Sequence, residues 1–220
     1  MKARVIAKAN QPLKLKDGKN TKLTFHSLID AADVFPTNDG YVYVSNSEMA
    51  SGRGGVYGLY FDHDGNILNY SQLRSGTLRN CGGGRTPWGT FLSCEEYSLG
   101  QCYQVDPKGQ RQSEVSKLGG LGGNYESVAV DNRNPLRPLF FVTEDHHHGA
   151  LRRYTPPMLT NGSGSPVVNW NTLTASGGTR DYLRFLNGTH FEWTTDKVTS
   201  QNSQATYYPN VEGIDFRKYH

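Results

Sequence analysis

Cys81 and Glu96 stand near the two ends of one string, Asn80-Cys81-Gly82-Gly83-Gly84-Arg85-Thr86-Pro87-Trp88-Gly89-Thr90-Phe91-Leu92-Ser93-Cys94-Glu95-Glu96. A thiolate is a soft metal ligand or a nucleophile, and a carboxylate is a hard ligand or a proton carrier. A thiol on a permissive loop, with a carboxylate 15 residues later at a strand end, therefore suits a metal site or a catalytic constellation. Three consecutive glycines give the backbone access to positive φ and let other groups come close. Pro87 fixes the exit from the loop, and Trp88 to Tyr97 reads as a strand. An ordinary turn ahead of an ordinary hairpin is the other reading of the same residues.

The carboxylates recur. Glu48, Glu96 and Glu144 are spaced 48 residues apart, each at the end of an apolar β-rich stretch: Tyr41–Glu48, Gly89–Glu96 and Leu139–Asp145. After each comes a short link and then a strand carrying an aromatic: Val56–Asp62, Gly100–Gly109 and Gly149–Pro156. A four-stranded module recurring about every 40–50 residues marks a β-propeller blade, which buries its faces only against its neighbours. Equivalent strand ends then gather at one mouth of the central channel, which would bring Glu48, Glu96 and Glu144 round one axis. Tyr125–Asp131 reads as the strand that opens the blade of Glu144, with Glu126 reaching the same mouth. Asn210–Phe216, with Glu212, reads as the same opening strand of one more blade. The expected fold is all-β, a β-propeller or incomplete propeller of four-stranded blades. It forms one domain over residues 1–220, either complete or truncated at its C-terminal end.

The remaining elements are simpler. Lys22–Leu28 and Ile67–Leu73 read as strands, Asp33-Val34-Phe35-Pro36 as an irregular lead-in, and Asn38-Asp39-Gly40 as a turn. Ser51–Gly55 is a glycine-rich link and Pro156–Gly178 a loop. Arg180–Leu186 and Thr189–Trp193 form a hairpin about Asn187-Gly188.

Composition excludes several classes. With 25 Gly and 13 Tyr among 220 residues the chain is not a helical bundle. A net charge of +3, with scattered Lys and Arg, offers no nucleic-acid groove. No apolar stretch reaches membrane-spanning length. Met1–Lys8 lacks the apolar core of an export signal, so the chain is cytosolic or a mature form without its signal. Three cysteines cannot all pair within one chain. A two-residue turn at Leu99-Gly100 would set Cys102 opposite Tyr97, not Cys94, so no disulfide is expected between Cys94 and Cys102. Consecutive side chains on an extended segment point to opposite sides, so His146-His147-His148 reads as a polar loop. Gly119–Gly123 does not lie between a strand and a helix, which excludes a phosphate-cradling P-loop.

The Cys81 string closely resembles the hallmark of the PhoX-type alkaline phosphatases. Asn46-Ser47-Glu48, Tyr125-Glu126-Ser127-Val128-Ala129-Val130-Asp131, Thr143-Glu144-Asp145 with Gly149-Ala150-Leu151, and Glu212-Gly213 resemble further family segments, in the family's order. The resemblance implies a propeller with iron and calcium at one end of its channel, hydrolysing phosphate monoesters outside the cytoplasm. By position, Cys81 would ligate iron and, with Glu96, take part in catalysis. Glu96, Glu126 and Glu212 would hold the metal cluster, and Glu48 or Asn46 would complete a calcium site. Where the family carries an Arg two residues before its last glutamate, this chain has Asn210. Asn210 and Arg85 are thus the candidates for binding substrate, with Arg85 on the glycine loop as the substitute cation and a catalytic candidate beside Cys81 and Glu96. Two other readings stand beside this one: a non-catalytic, metal-stabilised propeller subunit that binds a protein partner in a larger assembly, and a calcium-dependent lactonase.

Overall fold

The computed structural model describes residues 4–187, 189–201 and 208–217. It is nearly all-β. A hairpin of β1 (Pro12–Lys14) and β2 (Asn20–Thr24) precedes a four-stranded antiparallel sheet of β3 (Ile29–Thr37), β4 (Gly40–Ser47), β5 (Gly54–Asp62) and β6 (Ile67–Thr77), paired in that order. A second unit repeats the meander with β7 (Asn80–Arg85), β8 (Phe91–Tyr97), β9 (Cys102–Val105) and β10 (Glu114–Val115). The third runs β11 (Gly123–Asp131), β12 (Leu139–Glu144) and β13 (Arg152–Thr155). After a small hairpin of β14 (Leu159–Thr160) and β15 (Pro166–Val167) and the four-residue helix α1 (Asn171–Thr174), it ends in β16 (Thr179–Asn187) and β17 (His190–Thr194). Helix α2 (Lys197–Gln201) follows. Each unit is one propeller blade, and the first strands β3, β7 and β11 lie side by side.

Period-two alternation with both faces buried explains the apolar stretches. Val42, Val44 and Val56 of the first blade meet Phe91, Tyr103 and Val105 of the second. On the other face of the second blade, Leu92, Cys94 and Cys102 meet Tyr125, Val128, Phe140 and Val142 of the third. β8 therefore sends Phe91 one way and Leu92 the other. The outer face of the first blade is covered by Leu13 and Phe25 of the leading segment, packed on Leu59, Phe61, Ile67 and Tyr70.

Three local expectations are corrected. The lead-in at Asp33–Pro36 is the second half of β3, because a proline needs no second hydrogen-bonded neighbour in the strand at a sheet edge, and β3 pairs only with β4. Pro156–Gly178 contains β14, β15 and α1. The glycine run at 82–84 is strand β7, paired with β8, not a loop. Its glycines serve close approach: a Cβ on Gly82 would stand 1.5 Å from the Glu126 carbonyl oxygen, and one on Gly84 would stand 2.2 Å from that of Val128.

Overpacking of this kind costs roughly 1–3 kcal/mol where neighbours can give, and a backbone carbonyl cannot. Gly82→Ala should therefore lower stability in urea denaturation by at least about 3 kcal/mol or abolish folding. Gly162→Ala, with nothing within 4 Å of its Cβ, should stay within about 0.5 kcal/mol. Equal midpoints for the two variants would contradict the packing described.

Candidate metal centre

All three blades carry the same irregularity. Ladder pairing passes from Ile29↔Ser47 to Ala32↔Ser45, from Asn80↔Glu95 to Gly83↔Ser93, and from Tyr125↔Glu144 to Val128↔Val142. Each first strand thus carries one extra residue at the same place. Such bulges re-aim side chains, and here the re-aimed residues are Asp30, Cys81 and Glu126. The Cys81 Sγ lies 3.2 Å from Asp30 Oδ2 and 3.4 Å from Glu126 Oε1.

A second tier comes from the middle strands. The backbone N–H groups of Glu48, Glu96 and Asp145 donate to the carbonyls of Leu28, Arg79 and Asn124 at 2.8, 2.9 and 2.9 Å, one equivalent bond per blade. Glu48 and Glu96 turn toward the thiol. One donor atom each from Asp30, Glu48 and Cys81, and likewise from Cys81, Glu96 and Glu126, lie within 4.8 Å of one another. The two triads share the sulfur.

Asn46 sits between blades. Its Nδ2 donates to the carbonyls of Cys81 at 2.6 Å and Gly82 at 2.8 Å, and its Oδ1 accepts from Ser93 Oγ at 2.7 Å. Thr143, the equivalent residue of the third blade, donates to the Glu212 carbonyl at 2.9 Å. Residues around Glu212 thus take the place of the next first strand, in the position of Asp30, Cys81 and Glu126. They form no ladder among the described residues, which corrects the strand expected over 210–216.

The electrostatics are those of a site built for positive charge. Among the described residues, Asp30, Glu48, Glu96 and Glu126 make no ion pair. Burial, reinforced by the charges of Glu212, Asp30 and Glu96, pushes Glu126 from an ordinary 4.5 up to about 7, although the Cys81 thiol bond pulls the other way. Burial, then Asp145 and Glu48, raises Glu96, with Arg79 opposing. Burial, then Glu126 and Asp30, holds the Cys81 thiol well above its usual range.

Other expected residues lie elsewhere. Glu144 is buried in an ion pair with Arg152 at 3.0 Å and Lys197 at 2.8 Å, so the member of the 48-residue series that belongs to the axial tier is its neighbour Asp145. Arg85 lies four residues along β7 from Cys81, roughly 13 Å on an extended strand. It grips Asp33 bidentately at 2.7 and 2.6 Å and stacks 4.4 Å over Phe35. Asn210 is exposed, and its N–H donates to the His146 carbonyl at 3.2 Å. His146, His147 and His148 lie on a turn, not an extended segment, so their rings do meet, with centroids 4.1 Å apart for the first two. Sequence reasoning missed Asp30 and Asp145. A usable signal was the small residue after each axial one: Ala31, Gly82, Ser127 and Gly213.

Blades with aligned bulges, gathering carboxylates and one thiol, define a β-propeller with an acidic centre where its first strands lie side by side. The likeness within that class is to PhoX. The family model for alkaline phosphatase PhoX matches residues 69–103, which span Cys81 and Glu96. The fold is similar to that of Pseudomonas fluorescens PhoX in complex with vanadate, a transition state analogue, with a TM-score of 0.63 and 13% sequence identity over 87% of this chain and 54% of that one. The chain thus spans about half the length of that structure, and the likeness to PhoX is partial. No curated protein matches the sequence.

The raised Glu126 fixes the sign of a pH effect. Its folded value exceeds its unfolded one, so its contribution is fully present below 4.5 and is lost as pH rises through about 7. Chelator-treated protein should therefore lose up to about 3 kcal/mol between pH ~5 and ~8. The loss should shrink in Glu126→Gln and be reversed by divalent cations. A urea midpoint that does not change with pH in wild type would contradict the electrostatics described.

Proposed function

We propose that the axial cluster is a metal centre that hydrolyses phosphate monoesters, in the manner of the PhoX phosphatases. The observation that carries this is the convergence of Asp30, Cys81 and Glu126 from one bulged position in three successive blades, with no cationic side chain among the described residues paired to them. The donor set fits the metals that the resemblance implies. Carboxylate oxygens suit calcium, and a thiolate beside carboxylates suits iron. Cys81, Glu96 and Glu126 would hold the iron, Asp30 and Glu48 a calcium ion, and Glu212 would close the far side. Bound metals would polarise a phosphoryl group and lower the pKa of bound water. Asn46 then acts by fixing the Cys81 and Gly82 carbonyls rather than as a ligand. Arg79, whose charge acts on Glu96, replaces Arg85 as the cation nearest an incoming phosphate, and Asn210 brings no charge. An extracytoplasmic setting suits such an enzyme, and no helix among the described residues is long and apolar enough to cross a membrane.

Elemental analysis of purified protein should find calcium and iron, with iron falling at least about tenfold in Cys81→Ser. Hydrolysis of p-nitrophenyl phosphate should be metal-dependent and lost in Glu126→Gln. It should also be slow, below about 1 per second, the low end of ordinary enzymes, because Asn210 stands where the resemblance implies a phosphate-gripping arginine. Arg85→Ala should leave metal content and turnover unchanged, while Arg79→Ala should raise KM. The second reading, a non-catalytic subunit, is favoured by the engagement of Arg85 with Asp33. Full metal loading with no hydrolysis of any monoester would establish that reading over the first.

A further inference from the structure

The ladder between β8 and β9 sets Cys94 directly opposite Cys102, with both side chains fully buried and the sulfurs 2.9 Å apart. The expected turn placed Cys102 opposite Tyr97. The actual connection is longer, closing with the Gly100 N–H donating to the Tyr97 carbonyl at 2.7 Å, and it shifts the register to bring the cysteines together. We propose that Cys94 and Cys102 form a cross-strand disulfide when the chain folds in a compartment that exchanges thiols with disulfides, leaving Cys81 as the remaining thiol.

Three observations support the pair. Directly opposed residues of an antiparallel ladder have Cα atoms about 4.5–5.5 Å apart, inside the span a disulfide bridges without moving backbone. Second, the first blade pairs Asn46 with Val56 at this position, and Asn46 sends its amide across to the next blade. Cys94 holds the same place, yet its sulfur contact is Cys102 within its own sheet. Third, the Cys81 sulfur is engaged by Asp30 and Glu126, so the third thiol does not compete.

Both sulfurs are fully buried in the folded chain, out of reach of a disulfide in solution, so the exchange belongs to folding, while the hairpin still opens. The co-reactant is a small disulfide such as oxidised glutathione. One cysteine thiolate attacks it and releases one thiol, and the second attacks the mixed disulfide and releases the other. One S–S bond forms in the protein, two protons leave its thiols, and the small disulfide is reduced to two thiols.

The test is to refold wild-type chain in a glutathione redox buffer, isolate the folded fraction, alkylate it in denaturant with iodoacetamide, and map the peptides. The expected result is one alkylated cysteine, Cys81, and a peptide pair joined through Cys94 and Cys102 that separates on reduction. Cys81→Ser should give no alkylated cysteine. Three alkylated cysteines in the folded fraction, or a cross-link that includes Cys81, would overturn the proposal.

Discussion

The close approach of β7 to β11 governs this molecule. At Gly82 the backbone of one blade runs against the Glu126 carbonyl of the next, with no room for a side chain. That approach sets the equivalent bulges of adjacent blades side by side. Between the first and second blades, Asn46 reaches over and takes two carbonyls of the second. Pushed apart by one methyl group, the strands would lose this register, and Cys81 and Glu126 would no longer share a contact.

Bringing like charges together is costly, and the molecule meets that cost in two ways. Apolar packing between blades supplies the stability: Val42, Val44, Leu92, Phe140 and Val142 are fully buried on facing sheets, each contributing on the order of 1.5–3 kcal/mol. Several cationic side chains are held by other carboxylates, while Arg79 only partly offsets the rise at Glu96. Arg152 and Lys197 neutralise Glu144, and Arg85 neutralises Asp33. The axial carboxylates are therefore left with partial protonation or a bound cation as the means of relieving their repulsion.

Much of this was legible in the sequence. The middle strands β4, β8 and β12 stand out because each opens with an apolar stretch, Tyr41–Val44, Phe91–Leu92 and Leu139–Val142, and runs through Ser or Thr to an acidic residue. The recurrence at 48 and then 49 residues follows from one blade per repeat. The first strands were harder to see. β3 contains Pro36, and β7 is half glycine, because they are edge strands whose residues are chosen for close approach and for the axis, not for β propensity. Glu144 was aligned one residue off, since counting along a chain does not register that the loops between blades differ in length. Asp145 holds the Glu96 position, as the shared backbone bond shows. Asp30 was hidden because a lone aspartate between Ile29 and Ala31 has no motif of its own, and only the bulge gives it a role. The Cys94–Cys102 pairing depended on a turn length that the Leu99-Gly100 dipeptide does not determine.

Comparing the blades position by position separates framework from chemistry. The residue following the bulged one is small in every case; at Gly82 the next blade's Glu126 carbonyl leaves no room for a side chain. The bulged residue itself varies, as Asp30, Cys81, Glu126 and, at the equivalent place, Glu212. A purely structural position in a repeated fold would settle on one residue type, since each blade poses the same packing problem. Here the residues share only the capacity to donate electron pairs, and one differs in softness from the rest. On the metal-centre reading, that pattern would match an occupant that is itself unsymmetrical. On the reading proposed above, the thiolate side of the cluster holds one kind of metal and the all-oxygen side another. Sharing of Cys81 between the two triads then couples them, so that loss of the sulfur disturbs both.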